Sequence, residues 1–253
     1  MGLLTPEEAY AAFAVVMGLV TLGFAAMVAT IDANRRRRYL PFAVIPAVIA
    51  VSFWMTSQNI LVIEGVDGST VPIGRNFAYA AVYMPAVVYA GLAGGLSKRR
   101  TATLATLIFL VISGITASWL IPAPFGALGI LVTLGSLVVL AYLMLGPYAR
   151  LAAEQSGERA LLYGKLRNLV LLLWAMIVFA GLSAPQSLGL LDRLLAVSMG
   201  LYVDLLAVVF FGVIVLRARD AMDQVFEGDG PFAETDSTAD ASGSPAEQVD
   251  PAD

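Results

Sequence analysis

The chain contains no cysteine and no histidine among its 253 residues. Without cysteine it has neither disulfide bonds nor thiolate metal sites. Without histidine it lacks the commonest general base and metal ligand of proteins. Hydrolytic and metalloenzyme chemistry are therefore disfavoured, and we expect the protein not to be an enzyme.

Lysine is almost as scarce as these two residue types. The only two lysines, Lys98 and Lys165, stand close to arginines at the ends of apolar segments. A cofactor held as an imine needs a primary amine in the protein interior. The sequence therefore predicts that no lysine is placed to form such a linkage.

Charged residues are too few for an ordinary soluble domain. They make up 13% of the chain, against 59% hydrophobic residues. A helix needs about 20 apolar residues to cross the hydrocarbon core of a bilayer, and seven segments approach or exceed this length. They lie near residues 9–31, 39–62, 75–96, 102–121, 126–148, 161–183 and 191–217. The connections are short, so we predict an all-α, multi-pass protein of the cell membrane, with one seven-transmembrane helix bundle over residues 9–219.

Basic residues are concentrated in alternate connections of the predicted bundle. Only Arg75 and Arg193 fall on one side, and thirteen basic residues fall on the other: Arg35–Arg38, Lys98–Arg100, Arg150, Arg159, Lys165, Arg167, Arg217 and Arg219. Because cytoplasmic loops carry the excess of lysine and arginine, we predict an extracellular N-terminal segment, residues 1–8, and a cytoplasmic C-terminus. Besides setting topology, the Arg35–Arg38 cluster is suited to anionic lipid headgroups.

Two segments outside the helices have their own patterns. The connection 64–70 holds an Asp-Gly turn, so it is either a small extracellular hairpin or a plain loop. Residues 220–253 are rich in Asp, Glu, Ser, Gly and Pro, which predicts a disordered cytoplasmic tail. The acidic tail either keeps the chain solvated in a high-salt cytoplasm, which the acidic composition of the chain would suit, or binds a partner.

Four groups of residues carry a family resemblance through their order and spacing. They are Arg75-Asn76-Phe77-Ala78-Tyr79; Leu166-Arg167-Asn168 followed by Trp174; Ile45-Pro46-Ala47-Val48 followed by Phe53; and Asp204 followed by Leu216-Arg217-Ala218-Arg219. Over residues 9–219 this pattern resembles the archaeal microbial (type I) rhodopsins, bacteriorhodopsin among them. The resemblance implies a seven-helix fold. In ordinary members it also implies retinal held as an imine and transport or sensing driven by light.

The resemblance also implies that the photochemical positions are changed. The retinal lysine falls at Val208, one helical turn after Asp204. The main counterion falls at Ala78 and the proton donor of the pumps at Tyr89. We therefore expect no covalently bound retinal and no light-driven proton pumping.

The residues that enclose retinal in the family are only partly kept. Trp174 matches, Tyr79 is a smaller aromatic replacement, and a further tryptophan position falls at Gly181. The two tyrosines that hydrogen-bond the seventh-helix aspartate in the family correspond to Phe53 and Ile177. The resemblance thus implies a thinned pocket lined by these five residues.

One intramembrane ionic pair remains, Arg75 and Asp204. A charge at mid-bilayer costs about 2.5–3.5 kcal/mol on insertion scales, so we expect the two side chains to pair with each other. The pair is either a structural link between the third and seventh helices or a vestigial or repurposed ion or ligand site.

Two functions follow from this pattern. The first is a non-photochemical opsin homologue that acts as a membrane scaffold, assembly partner or signalling subunit. The alternative is a non-covalent binder or carrier of retinal, another isoprenoid or a lipid. The expected partners are membrane lipids, another rhodopsin or further copies of the chain, with a trimer implied by the resemblance alone; no nucleic acid is expected.

Overall fold

The computed structural model describes residues 5–66, 68, 70–183 and 189–227, which form ten helices and a short hairpin. The helices are α1 (Pro6–Ala29), α2 (Ala33–Tyr39), α3 (Pro41–Ser57), α4 (Ile73–Ala93), α5 (Lys98–Leu120), α6 (Phe125–Leu145), α7 (Pro147–Ala153), α8 (Gly157–Ser183), α9 (Arg193–Arg217) and α10 (Arg219–Glu227). Strands β1 (Val62–Glu64) and β2 (Thr70–Pro72) separate α3 from α4.

The long helices form a multi-pass membrane bundle. Within the described ranges six spans are long and apolar enough to cross a bilayer, and α2 with α3 makes a seventh span that is bent by 40°. This arrangement confirms the predicted all-α, seven-transmembrane fold class. Which end of the bundle faces the cytoplasm stays a prediction.

The second span differs from the continuous segment 39–62 that the sequence predicted. It is broken between α2 and α3 because Pro41, at the start of α3, lacks a backbone N–H and fits the first turn of a new helix. The span also ends early, at Ser57. Asn59 and Leu61 then adopt positive φ angles of 56° and 60°, which no α-helix can accommodate.

The connection after this span is a hairpin, so the hairpin interpretation of residues 64–70 is confirmed. Strands β1 and β2 pair antiparallel, with Ile63 opposite Val71 and Glu64 opposite Thr70. The amide of Val66 donates a hydrogen bond of 3.1 Å to the carbonyl of Trp119, at the end of α5. This bond fixes the hairpin to the bundle.

The first helix starts earlier than the sequence predicted. The Thr5 hydroxyl accepts from the amide of Glu8, and the Glu8 carboxylate accepts from the amide of Thr5, so the two form a capping box before Pro6. Residues 6–8 of the predicted extracellular segment 1–8 are therefore part of α1, and their location outside the membrane stays a prediction. Residues 1–4 lie outside the described residues.

The predicted tail 220–253 also needs correction, because its first residues form α10. Ala221, Met222 and Val225 lie on one face of this helix and are buried against the bundle. The acidic residues around them hid this apolar face in the sequence pattern. Residues 228–253 lie outside the described residues.

The bundle has a hairpin end and a basic end. The hairpin end carries β1–β2 and the start of α4. The basic end carries Arg35–Arg38, Lys98–Arg100 and α10. Between them, buried side chains from all the long helices form one core cluster. Large apolar side chains on the outer faces, such as Val15 and Leu131, are exposed, as a lipid-facing surface requires.

Candidate functional site

The charged residues Arg75 and Asp204 meet inside the bundle near the hairpin end. Arg75 lies in the first turn of α4, and Asp204 lies in the middle of α9. The Arg75 Nε atom is 3.1 Å from Asp204 Oδ2, and the two side chains are 15% and 3% exposed. The ion pair therefore links α4 and α9 in a largely desolvated environment, where an unpaired charge would be costly.

Gly200 makes room for this pair, a role that was not predicted from the sequence. It lies one helical turn before Asp204 on the same face of α9. A Cβ atom at Gly200 would overlap the guanidinium group of Arg75. Glycine at this position thus lets Arg75 lie directly across the α9 backbone.

Two tyrosines surround the charged pair. The Arg75 guanidinium carbon lies 5.4 Å from the ring centroid of Tyr79, within the range of a cation–π interaction. Tyr10 on α1 lies within electrostatic range of both charges. Its ring contacts Phe53 edge-on, with centroids 5.8 Å apart. Phe53 lacks the hydroxyl that the family resemblance implies there, but Tyr10 brings a different hydroxyl close to the pair.

Two buried oxygens beside the pair have no hydrogen-bond partner among the described residues. They are Asp204 Oδ1 and the Tyr10 hydroxyl. Buried polar groups are usually hydrogen-bonded, so such atoms mark either a polar site or a local cost in stability. Asp204 Oδ1 can therefore accept a further hydrogen bond, because the ionic contact with Arg75 is made by Oδ2.

An aromatic cluster lies next to the pair, and one member of it, Tyr83, was not predicted. Its ring centroid is 4.9 Å from that of Trp174, and Tyr79 lies 6.1 Å from each of these rings. All three side chains are buried. Tyr83 follows Tyr79 by one turn of α4, a spacing that was available in the sequence as a signal. The three rings fill the space between α4 and α8.

The positions at which the family resemblance implies a retinal lysine and a counterion are both enclosed. Val208 follows Asp204 by one turn of α9, and Ala78 lies on α4; each side chain is 2% exposed. In contrast, Lys98 and Lys165 are exposed, at the start of α5 and in the third turn of α8. The structure therefore presents an aliphatic side chain, and no amine from either lysine, beside Asp204.

The remaining predicted pocket residues are not all brought together. Phe53 is fully buried against Tyr10, and Ile177 is half-buried on α8. Gly181 is exposed, and a Cβ atom there would meet nothing within 4 Å. Gly181 thus lies apart from the enclosed cluster.

Tyr89, at the proton-donor position, lies toward the basic end. Its hydroxyl donates a hydrogen bond of 3.4 Å to the carbonyl of Arg38. Its ring contacts Phe42 and Phe211, at centroid distances of 5.1 and 5.9 Å. Tyr89 is therefore part of an uncharged aromatic group that ties α3, α4 and α9 together.

Helix α10 covers this end of the bundle. Asp223 forms an ion pair of 2.6 Å with Arg35, and Phe226 lies 5.2 Å from the guanidinium carbon of Arg38. On its other side, Gln224 accepts a hydrogen bond of 2.7 Å from Ser156. Because Arg35 and Arg38 belong to α2 and Ser156 precedes α8, α10 bridges opposite sides of the basic end.

The fold and this site define a class of protein: a seven-helix membrane protein with a buried arginine–aspartate pair between α4 and α9. A family model described as "Bacteriorhodopsin-like protein" matches residues 7–222. The chain therefore belongs to the bacteriorhodopsin-like family of microbial rhodopsins.

Individual relatives agree with this assignment. Sensory rhodopsin-2 of Natronomonas pharaonis is 30% identical over 210 residues, which cover 78% of this chain and 82% of that protein. Bacteriorhodopsin-II of Haloarcula marismortui is 32% identical over 131 residues, 51% of this chain and 52% of that protein. Among solved structures, thermophilic rhodopsin from Rubrobacter xylanophilus matches 87% of this chain and 99% of that chain, with a TM-score of 0.77 at 19% identity. This last likeness supports the fold.

Proposed function

We propose that this chain is a non-photochemical member of the microbial rhodopsin family. It keeps the bundle and the Arg75–Asp204 pair but does not hold retinal as an imine, and it is not a light-driven proton pump. The observation that carries the proposal is the buried valine at residue 208, one turn beyond Asp204. An aliphatic side chain cannot form the carbon–nitrogen double bond of an imine.

The residues around Val208 also do not fit covalently bound retinal. Lys98 and Lys165 are exposed, so neither supplies a replacement amine to the interior. Ala78 offers no carboxylate to accept a proton, and the Tyr89 hydroxyl is engaged with the Arg38 carbonyl. A carboxylate relay across the bundle therefore has neither its acceptor nor its donor.

The role that remains is that of a membrane scaffold, assembly partner or signalling subunit. Helix α10 supports this role because it joins the basic end of the bundle to the acidic sequence 228–253. A displacement of α2 or α8 would act directly on α10 through Arg35, Ser156 and Glu158. Candidate partners are another rhodopsin or further copies of this chain, and co-purification from native membranes tests for them. A chain recovered strictly as a monomer without a partner would contradict this role.

The carrier function has weaker support from the same geometry. The small side chains of Val208 and Ala78 would leave space for a ligand only if neighbouring side chains did not fill it, and Gly181 lies apart from this space. Tyr83 packs its ring 4.9 Å from Trp174 between α4 and α8, and packed interiors avoid large voids. Extraction of bound lipids followed by mass spectrometry tests this alternative directly, and a stoichiometric isoprenoid would favour it.

The experiment that tests the proposal is reconstitution with all-trans retinal. The wild-type chain is expected to show no visible absorption band, because it lacks the amine. Val208→Lys is expected to form a small amount of pigment with Asp204 as the nearby counterion. Val208→Lys combined with Tyr83→Ala is expected to form several times more, since removal of the ring frees volume beside Trp174.

Val208→Met is the matched control, because it adds length at the same position without an amine. It is expected to remain colourless, like the wild type. A visible band in the wild type or in Val208→Met would contradict the proposal.

A further inference from the structure

Tyr10 of α1 supplies a buried hydroxyl next to the Arg75–Asp204 pair. We propose that Tyr10 is a positioning residue for this pair, and that one bound water molecule joins its hydroxyl to Asp204 Oδ1. The charged site then links three helices, α1, α4 and α9, instead of two. This inference concerns the residues of the charged site alone, and it does not depend on the function proposed above.

The burial pattern of α1 fixes the direction of the Tyr10 side chain. Tyr10, Ala14 and Met17 are buried and follow one another at intervals of four and three residues, so they lie on one face of the helix. The Tyr10 ring contacts the buried ring of Phe53 edge-on, with centroids 5.8 Å apart. Tyr10 is 5% exposed although it lies near the start of α1. Its ring is thus held against α3, and its hydroxyl lies inside the bundle.

Two buried oxygen atoms at this site have complementary hydrogen-bonding capacity. Asp204 Oδ2 lies 3.1 Å from Arg75 Nε, whereas Asp204 Oδ1 has no hydrogen-bond partner among the described residues. The Tyr10 hydroxyl is buried and has no such partner within the same ranges. A carboxylate oxygen only accepts hydrogen bonds, and a tyrosine hydroxyl can also donate one. An unused acceptor and an unused donor therefore lie beside the same ion pair.

One water molecule satisfies both atoms. The Tyr10 hydroxyl and Asp204 Oδ1 do not bond to each other directly, so a bridge is needed. A buried water molecule commonly makes about three hydrogen bonds. Here it accepts from the Tyr10 hydroxyl and from an N–H group of Arg75, and it donates to Asp204 Oδ1. Arg75 can serve this water because a guanidinium group carries several donors, of which Nε contacts Asp204.

The substitution Tyr10→Phe distinguishes this arrangement from a hydroxyl that has no partner at all. Burial of an unpartnered hydroxyl is unfavourable, so its removal would leave stability unchanged or increase it. A hydroxyl that holds Asp204 through water stabilises the site instead. Tyr10→Phe is therefore expected to raise the equilibrium constant of unfolding about fivefold. Denaturation of the full chain in detergent, followed by circular dichroism, measures this constant, and unchanged or increased stability would overturn the proposal.

Tyr202→Phe is the matched control, because Tyr202 lies shortly before Asp204 on α9 but is 53% exposed. It makes the same chemical change away from the pair and is expected to leave the unfolding constant unchanged. Tyr10→Phe is also expected to lose its destabilising effect in a chain that carries Arg75→Met and Asp204→Leu, because that chain lacks the carboxylate. A fivefold effect that persists in this background would show that Tyr10 acts through packing and would overturn the proposal.

Infrared spectroscopy tests whether Tyr10 acts on the carboxyl group of Asp204 itself. The band of this group is identified by its loss in Asp204→Asn. Tyr10→Phe is expected to shift the band, and Tyr202→Phe is expected to leave it in place. Exchange into isotopically labelled water is expected to shift an O–H stretching band that is missing in Tyr10→Phe. An Asp204 band that does not move in Tyr10→Phe, or the lack of a water band that depends on Tyr10, would contradict the proposed bridge.

Discussion

The half of the bundle near the hairpin encloses a charged pair, whereas the half near the basic end encloses aromatic rings. Near the hairpin, Arg75 and Asp204 make their 3.1 Å contact with Tyr10 and Tyr79 beside them. Near the basic end, Tyr89 packs between Phe42 and Phe211. Only one half retains a buried carboxylate among the described residues.

On the proposed function, this difference indicates which property of the site is kept. A buried charge without its partner destabilises a bundle, so an ion pair is difficult to lose one residue at a time. On the proposed function, the lysine and counterion positions hold valine and alanine, which leave no buried charge without a partner. The pattern Val208, Ala78 and Asp204 is therefore what we expect when a fold is maintained without its photochemistry.

The largest expected effect comes from breaking the charged pair. Asp204→Asn should lower the free energy of unfolding by about 3–5 kcal/mol, because it leaves the Arg75 charge buried and unpaired. The double variant Asp204→Asn with Arg75→Gln should lose less than Asp204→Asn alone. Denaturation in detergent followed by circular dichroism measures all of the variants. Equal losses in both single variants and the double variant would show that the residues do not act as a pair.

A smaller effect is expected at the basic end, from the side chain that anchors α10. Met222 is fully buried, and Met222→Ala should weaken the docking of α10 by about 2–3 kcal/mol. Hydrogen exchange of the amides in residues 219–227 should accelerate, while exchange near Asp204 should stay unchanged. Acceleration throughout the bundle would argue against the two ends behaving as separate regions.

Returning to the hairpin end, Gly200→Ala should cost about 1–3 kcal/mol, because the new methyl group displaces the Arg75 guanidinium. Gly23→Ala on α1 is the matched control, since a Cβ atom there meets nothing within 4 Å. This control should be neutral or stabilise the helix by up to about 1 kcal/mol. Equal thermal stability of the two variants would show that Gly200 does not position Arg75.

The smallest effect is expected for the ion pair on α10. Arg35 is 49% exposed, so water and salt screen its contact with Asp223. Asp223→Asn should therefore change stability by about 0–1 kcal/mol. Thermal melts at low and high salt measure this change. A loss of stability as large as that of Asp204→Asn would contradict the distinction between the exposed Arg35–Asp223 pair and the buried Arg75–Asp204 pair.

The membrane spans can be predicted from the sequence because they depend on the length of apolar segments. The family and the residues of the charged pair can be predicted because they depend on residue spacing along single helices. Contacts between helices are harder to predict. The close approach of Arg75 to Gly200 and the packing of Tyr83 on Trp174 depend on how closely α4 approaches α8 and α9. Helix α10 was missed because its few apolar residues stand among acids and are buried only against the assembled bundle.

Whether the wild-type protein forms an imine with retinal can be measured directly. The purified chain is incubated with all-trans retinal and then treated with borohydride, which reduces an imine to a stable amine. Intact-protein mass spectrometry then gives the mass of the chain. We predict that the wild type keeps its unmodified mass while Val208→Lys gains the mass of one reduced retinal. A reduced retinal adduct on the wild-type chain, at Lys98, Lys165 or elsewhere, would contradict the account.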